Sequence, residues 1–208
     1  MRTIREQVSL EPSGREKKTK QSIREKLRRE PMRLSQMQDI AGCRVLVDNL
    51  VVQSIVVRKL SQIFESAVFV DRLKKPSYGY RAVHIIVRSD DRTIEIQVRT
   101  VLQDTWAQLS ERMAANIDPA LKYGGGPKAE RLRLEEASDL IRRMEFYEAP
   151  AVGLEKEAMQ SPIPKALQAH VLELCADVEL RKREVINWLH RLISEVPGRN
   201  GEGRVFPD

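Results

Sequence analysis

Two neighbouring stretches that alternate apolar and polar residues limit the possible folds more than any other feature of this chain. They are GYRAVHIIV (79–87) and IEIQVRT (94–100), and their alternation predicts two β-strands. The polar residues 89–92 between them predict a hairpin turn. In the second strand Ile94, Ile96 and Val98 are expected to pack inward, so this hairpin needs a sheet with one buried face.

The other side of the predicted hairpin carries polar side chains that are unusual for a solvated strand. Residues two apart in a strand share a face, so each strand projects its polar residues to one side. These residues are Tyr80, His84, Glu95, Gln97 and Arg99, with the small Ala82 leaving a gap among them. An ordinary solvent-facing strand would more often show Thr, Ser and Lys. The combination is typical of a site that stacks a ring, holds phosphate and accepts a proton.

The residue pattern predicts further helices and strands on both sides of the hairpin. We expect a helix over 15–30, a strand over 43–47, a helix over 50–66 with Ile55, Val56, Leu60, Ile63 and Phe64 on its apolar face, and a strand over 67–70. Leu102, Trp106, Leu109 and Met113 recur at helical spacing and predict a helix packed on the sheet. Two later helices, around 129–147 and 165–195, are separated by a linker that contains Pro, Gly and Ser.

This order of elements predicts an α/β (α+β) protein with a small mixed sheet and a C-terminal helical extension. We divide the chain into an N-terminal segment (1–14), a domain (15–127) that ends in the flexible joint KYGGGP, the helical extension (128–196) and a flexible tail (197–208). The last helix carries an apolar stripe formed by Leu167, Val171, Leu174, Val178, Val185, Trp188, Leu189 and Leu192. The stripe is expected to pack on the core, or to contact a second subunit or another protein.

Composition and charge exclude several classes of protein. The 208 residues are 41% hydrophobic and 32% charged, so the chain can bury a core. Two cysteines cannot build a disulfide framework or a Cys-based zinc site. The first ten residues lack an apolar signal core and no apolar run reaches membrane-spanning length, so we expect a cytoplasmic protein. Residues 15–33 include nine basic and three acidic residues, and this basic stretch indicates a polyanionic partner.

Two charged residues flank or enter the predicted strand over 43–47. Asp39 precedes the strand, where it either caps a turn or belongs to the site. Arg44 stands inside the apolar strand and needs a polar partner. Asp39 and Glu95 together could hold Mg²⁺, an ion that is usually bound by one or two carboxylates plus substrate phosphates. The glycines of KYGGGP lack the Gly-Lys-Ser/Thr ending of a P-loop, so they do not indicate a phosphate-binding loop.

Four segments in order, KTKQSIREKL, DIAGCRVLV, GYRAVH and EIQVRT followed by WAQLSE, resemble the synthetase domain of the RelA/SpoT superfamily. The resemblance is greatest to the small alarmone synthetases and their toxin relatives, and it covers residues 15–127. It implies a nucleotidyltransferase-like mixed sheet. It also implies transfer of the β,γ-pyrophosphate of ATP to the 3′-hydroxyl of a guanosine nucleotide, GDP or GTP, which gives a (p)ppGpp-type product.

The resemblance also implies roles for individual residues. Asp39 would be a Mg²⁺ ligand, and Glu95 would be a second ligand or the base for the attacking hydroxyl. Tyr80 would stack on the acceptor base, with His84, Gln97 and Arg99 in the same acceptor subsite. The ATP subsite would comprise Lys20, Ser22, Lys26 and Arg44.

Two alternatives stay open at the level of sequence. The first is a toxin that pyrophosphorylates the 3′-terminal adenosine of tRNA and blocks translation, because Ala82, the short loop LKKPSYGY and WAQLSE are more typical of the toxin branch. An antitoxin protein would then be a further partner, which the apolar stripe of the last helix could contact. RNA could then be bound by Lys17, Lys18, Arg28 and Arg29, which lie outside the match to the ATP-contacting helix. The second is a non-catalytic RNA-binding or regulatory module. Both carboxylates that the resemblance assigns to the metal, Asp39 and Glu95, are present, which favours an enzyme.

Overall fold

The computed structural model describes residues 2–14, 20–29, 31–34, 37, 40–89 and 92–198. Within these residues the helices are α1 (Arg2–Val8), α2 (Lys20–Arg29), α3 (Leu50–Ile63), α4 (Val101–Asn116), α5 (Lys128–Gln160) and α6 (Lys165–Glu195), with a 3₁₀ helix at Pro119–Tyr123. The strands are β1 (Ser13–Gly14), β2 (Ala41–Val47), β3 (Val68–Asp71), β4 (Val83–Ser89) and β5 (Arg92–Thr100). The predicted α+β class with C-terminal helices is confirmed.

The strands form one mixed sheet in the order β1-β2-β5-β4-β3. β2 and β5 pair in parallel, and the other neighbouring strands are antiparallel. A parallel pair requires a long connection, which α3, β3 and β4 supply here. The predicted hairpin is confirmed, because β4 pairs antiparallel with β5 and Ser89 lies opposite Arg92.

Strand β4 begins at Val83, four residues later than the alternation predicts. Ser77 and Tyr80 exchange backbone hydrogen bonds of 3.2 and 3.0 Å across a tight turn. Tyr78 and Gly79 inside this turn have φ angles of 52° and 87°, which lie outside the range of β-strands. Tyr80 therefore precedes the strand, and Ala82 is fully buried instead of leaving a gap on the strand surface.

Helices α1 and α3 cover the apolar face of the sheet. Their buried residues pack with those of β2, β4 and β5 in one core, which contains Ile4, Val8, Cys43, Val45, Val56, Leu60, Ile85, Ile96 and Val98. The predicted inward positions of Ile94 and Ile55 are wrong, since these side chains are 39% and 42% exposed. Ile94 lies at the margin of the face, opposite the exposed Ala41 at the start of β2. Ile55 lies on the side of α3 that faces away from the core.

A second core is formed by α4, α5 and α6. Trp106 is buried in it, as predicted, and its indole Nε1 donates to the backbone oxygen of Leu134 at 2.9 Å. The second half of the α6 stripe packs against this core through Val178, Val185, Trp188, Leu189 and Leu192. Leu167 and Leu174, from the first half, are 50% and 54% exposed. The core therefore accounts for only the second half of the stripe.

The linker predicted between the last two helices is wrong in length. α5 continues through Pro150 and Gly153 to Gln160, and only residues 161–164 separate it from α6. Proline inside a helix removes one backbone hydrogen bond and normally kinks or breaks the helix. Here α6 packs along α5, and the Cys175 thiol contacts the backbone oxygen of Ala151 at 3.4 Å. This packing favours a continuous helix where the local sequence predicts a break.

The KYGGGP segment forms a hydrogen-bonded turn rather than an open joint. Gly124 caps the 3₁₀ helix with φ 74°, and the N–H of Gly125 donates to Ala120 at 2.9 Å. The division of the chain into domains at residue 127 stays a prediction. In the part of the chain that the structure describes, no helix is both long enough and apolar enough to span a bilayer.

Candidate functional site

The polar residues predicted from sequence lie together on the sheet face opposite α1 and α3. Strand pairing aligns Arg44 of β2, Gln97 of β5 and His84 of β4 in one row across the sheet. Glu95 is paired with Gly42 and Ile86 in the next row. Because directly paired residues share a face, Glu95, Gln97, Arg99 and His84 project to the same side. The convergence expected from the alternation is therefore observed.

A chain of hydrogen bonds joins four of these residues. His84 Nδ1 lies 2.7 Å from Glu95 Oε1, and His84 Nε2 lies 2.7 Å from the Tyr80 hydroxyl. Arg99 Nη2 donates to the same hydroxyl at 2.8 Å. Arginine has no acceptor, so we assign the hydroxyl proton to the bond with His84 Nε2 and the imidazole proton to Nδ1. With this tautomer the imidazole donates to the Glu95 carboxylate.

The Glu95 carboxylate is 6% exposed and fixed on both sides. Oε1 accepts from His84, and Oε2 accepts from Gln97 Nε2 at 2.8 Å. A carboxylate can accept about four hydrogen bonds or metal contacts in total. Gln97 Oε1 is buried and accepts no hydrogen bond from the described residues.

Tyr80 contacts both the sheet and the second core. Its ring meets the His84 ring edge-on at 5.5 Å and lies 6.4 Å from Trp106 of the second core. The guanidinium of Arg99 stands over the Tyr80 ring at 5.1 Å from the centroid. Arg99 thus occupies one face of the ring.

Asp104 is a site residue that the sequence reading missed. It is 4% exposed on the first turn of α4. Its Oδ1 lies 3.0 Å from Arg99 Nη1 and 3.2 Å from Arg44 Nη1, and its Oδ2 accepts from Gln108 Nε2 at 2.8 Å. Asp104 is thus the partner that the strand arginine Arg44 requires. An available signal was the acidic residue in the first turn of a helix that begins at the capping box Thr100–Gln103.

An arginine-lined cleft of about 790 Å³ opens beside this network. Arg44 and Arg99 line it from the sheet, and Arg112 and Gln108 line it from α4. Glu111 is the acidic residue in its wall. Three guanidinium groups around one cleft favour an anionic ligand, because arginine binds phosphate oxygens through paired donors.

Several residues of the predicted site lie outside the described residues. They are Asp39, Lys17 and Lys18, together with the side chains of Ser22 and Arg29. On α2, Lys20 and Arg28 are exposed and Lys26 is partly buried. The assignment of α2 to ATP or RNA binding stays a prediction, as do all the individual roles.

The residues that are present fit a Mg²⁺ ion bound jointly with substrate. Among the described side chains there is no group of three or more His, Cys, Asp or Glu residues that could hold a metal alone. Mg²⁺ does not need such a group, since one or two carboxylates and substrate phosphates are usual ligands. Glu95 contributes a carboxylate of this kind on the polar face of the sheet. Ala41, two residues after Asp39, pairs with Ile94, the neighbour of Glu95.

Comparison with known proteins shows which family the chain is similar to. A family model described as "Region found in RelA / SpoT proteins" matches residues 14–116. The uncharacterized protein Mb1401 of Mycobacterium bovis is 35% identical over 115 residues, which are 53% of this chain and 42% of that protein. The chain thus matches less than half the length of this curated relative.

Solved structures resemble the chain over a larger share. The small alarmone synthetase 1 from Bacillus subtilis is 28% identical, with a TM-score of 0.57 over 71% of this chain and 82% of that chain. Its complex with the product pppGpp gives 26% identity and a TM-score of 0.57 over 74% and 86% of the two chains. Its complex with AMPCPP is 27% identical, with a TM-score of 0.52 over 75% of this chain and 86% of that chain. The chain belongs to the RelA/SpoT superfamily.

Gly42 provides a test of how closely β2 must approach Glu95. A Cβ at Gly42 would lie 2.3 Å from the backbone oxygen of Glu95, a contact that forces the strands apart. We expect Gly42→Ala to lower the free energy of unfolding by about 1–3 kcal/mol, as overpacking does. Thermal melting measures this change.

The matched control for Gly42→Ala is Gly153→Ala. A Cβ at Gly153, inside α5, meets nothing within 4 Å. Alanine there is expected to stabilise the helix by about 0.5–1 kcal/mol. Equal melting temperatures for the two variants would contradict the close strand approach at Glu95.

Proposed function

We propose that this protein is an ATP-dependent pyrophosphokinase that transfers the β,γ-pyrophosphate of ATP to the 3′-hydroxyl of a guanosine nucleotide. The observation that carries the proposal is one continuous polar network, which runs from Glu95 through His84, Tyr80 and Arg99 to Asp104 and Arg44. It joins a buried carboxylate to an arginine-lined cleft. Membership of the RelA/SpoT superfamily supports this assignment, as do the pppGpp and AMPCPP complexes of the similar synthetase.

The proposed reaction is a single displacement at the β-phosphorus of ATP. The bond from the acceptor 3′-oxygen to the β-phosphorus forms, the bond from the β-phosphorus to the α-phosphate oxygen breaks, and AMP leaves. Glu95 accepts the hydroxyl proton, while His84 and Gln97 orient the carboxylate. Arg44, Arg99 and Arg112 hold the phosphate oxygens, since such transfer depends mainly on positioning and on cations around the transferred group.

A magnesium ion is part of this proposal. Glu95 and Asp39 would hold it together with the ATP phosphates. When bound, the ion neutralises phosphate charge and acts as a Lewis acid on the phosphoryl oxygens. Removal of divalent ions with a chelator is expected to stop transfer and to leave thermal melting of the free protein unchanged.

The acceptor is tested by incubating the protein with γ-labelled ATP and, separately, GDP, GTP or bulk tRNA. We expect label in a guanosine product and little in tRNA. Label in tRNA alone would replace the proposed acceptor with the RNA alternative. Absence of label from all three acceptors would overturn the pyrophosphokinase assignment.

The tRNA alternative is favoured by one observation, the basic stretch 15–33 with exposed Lys20 and Arg28. Binding to single-stranded RNA weakens with salt by a slope of about 0.7 per phosphate contacted, whereas a mononucleotide offers few phosphates. If tRNA is a substrate, replacing the basic residues Lys17, Lys18, Arg28 and Arg29 with Gln should reduce its modification and the salt slope. Activity on GDP or GTP should persist. An unchanged slope would make this stretch a solvated surface.

Tyr80 is tested through the two binding steps separately. Tyr80→Ala removes the stacking ring and is expected to weaken acceptor binding by about 1–3 kcal/mol, which is roughly 5- to 150-fold. ATP affinity, measured by calorimetry with a non-hydrolysable analogue, should change much less. Tyr80→Phe is the control, because it keeps the ring and loses only the hydroxyl. If ATP affinity falls while acceptor affinity persists, the two subsites have been assigned in the wrong order.

A further inference from the structure

Two buried carboxylates on α5 lie beyond the residues matched by the family model. Glu145 is 0% exposed and Glu148 is 4% exposed, one helical turn apart. A buried carboxylate is stable only where polar or charged partners compensate for its lost hydration. Glu145 contacts residues next to the site, whereas Glu148 contacts Lys182 of α6. The two residues are therefore expected to have different roles.

Glu145 contacts the two residues that directly follow Tyr80 and Arg99 in the sequence. Its Oε2 lies 3.3 Å from Arg81 Nη2, and its Oε1 accepts from the Thr100 hydroxyl at 2.9 Å. Arg81 directly follows Tyr80, and Thr100 directly follows Arg99. One carboxylate therefore links the two backbone segments that present Tyr80 and Arg99. The side chains of these two residues meet at 2.8 Å.

Gln103 extends this linkage into the sheet. Its Nε2 donates to Glu145 Oε1 at 2.6 Å, and its Oε1 accepts from Gln53 Nε2 at 2.9 Å. Gln53 Nε2 also donates to the backbone oxygen of Val98 on β5. These groups fix the corner between β5 and α4, from which Arg99 and Asp104 project.

The charge on Glu145 is compensated by its neighbours. Burial raises the pKa of the Glu145 carboxyl, and Arg81 opposes this shift, as do the hydrogen bonds from Thr100 and Gln103. Arg81 is itself largely buried, with 11% of its side chain exposed. A buried pair of this kind is sensitive to the loss of one partner, because the other charge is then left without compensation.

We propose that Glu145 is a positioning residue for the transfer site, acting through Arg81 and Thr100 on Tyr80 and Arg99. The first half of α5 is then part of the synthetase unit rather than an appendage to it. The proposal rests on the proposed function of the site. In this role α5 keeps the Tyr80 ring and the Arg99 guanidinium at their observed distance from each other.

The test compares Glu145→Gln with Glu148→Gln. Both remove a buried carboxylate from α5, but Glu148 is paired with Lys182 at 2.6 Å and Lys182 donates to the backbone oxygen of Asp48, away from Tyr80 and Arg99. In Glu145→Gln the new amide N–H₂ faces Arg81 and releases it. We expect kcat to fall about 10- to 100-fold, as small misplacements of reacting groups do. Glu148→Gln should lower the melting temperature and leave kcat near that of the wild type.

A spectroscopic readout makes this test independent of turnover. Nitrogen-15 signals of the His84 imidazole report its bonds to Tyr80 and Glu95, and His84→Gln identifies them among the three histidines. We expect these signals to shift in Glu145→Gln and to stay in place in Glu148→Gln. They remain informative even if the wild type transfers nothing to any acceptor. In that case only the proposed function fails.

Arg81→Met reaches the same contact from the opposite side. It should shift the His84 signals and, where the wild type transfers, lower kcat in the same direction as Glu145→Gln. This variant decides the matter if Glu145→Gln does not fold. The inference is overturned if folded Glu145→Gln or Arg81→Met keeps wild-type His84 signals and the kcat of Glu148→Gln.

Discussion

Replacing Glu95 with glutamine is expected to reduce diphosphate transfer by about 10²- to 10⁴-fold, the usual contribution of a positioned general base. Glutamine keeps the volume of the side chain and an oxygen that can accept from His84 Nδ1. It loses the negative charge that accepts a proton and attracts a metal ion. Initial rates with saturating ATP and acceptor measure this loss.

The local network allows this variant to keep its fold. The new amide N–H₂ would meet Gln97 Nε2, which now donates to Glu95 Oε2. Gln97 Oε1 is buried and accepts no hydrogen bond from the described residues, so a rotation of the Gln97 amide supplies an acceptor. Circular dichroism and thermal melting should therefore match the wild type. Near-normal turnover in a folded Glu95→Gln variant would contradict the assignment of Glu95 as the general base.

Replacing Asp104 with alanine is expected to have the largest effect on stability. Asp104 compensates Arg99, whose side chain is 7% exposed, and also contacts Arg44. Removing one partner of a buried ion pair costs about 3–5 kcal/mol, because the remaining charge stays buried. The exposure of Arg44 at 30% places the expected loss at the lower end of that range. Denaturant unfolding measures it.

Anion binding provides the signature of this variant. Without the carboxylate, the phosphates of ATP or pyrophosphate should partly replace it between Arg44 and Arg99. The melting temperature of Asp104→Ala should therefore rise more on addition of pyrophosphate than that of the wild type. Asp139→Asn is the control, since Asp139 forms exposed pairs with Arg142 and Arg143. A similar response to pyrophosphate in all three proteins would contradict the role of Asp104.

The sequence was sufficient for those parts of the fold that depend on local periodicity. Strict alternation predicted the hairpin β4–β5 and the common face of Glu95, Gln97 and Arg99, because a period of two fixes which side a strand residue takes. Helical spacing predicted α4 and the burial of Trp106. The start of β4 was missed because the positive φ angles at Tyr78 and Gly79 are a property of the turn and do not affect the alternation.

The parts of the site that the sequence did not predict depend on contacts between segments that are distant in the chain. Arg44 indicated that a partner exists, but Asp104 is 60 residues away on another element, and spacing carries no information about such a pair. Glu145 meets Thr100 and Arg81 only after α5 packs against α4 and the sheet. α5 also continues through Pro150, because packing along α6 outweighs the local preference of proline.

The fate of the two terminal phosphates of ATP tests the central claim most directly. ATP labelled at the β-position and ATP labelled at the γ-position are supplied in parallel with GDP, and AMP, ADP and the guanosine product are quantified. The proposed displacement at the β-phosphorus predicts that both labels enter the guanosine product and that one AMP is released per product. Formation of ADP with transfer of the γ-label alone, or no transfer of either label to a guanosine nucleotide, would contradict it.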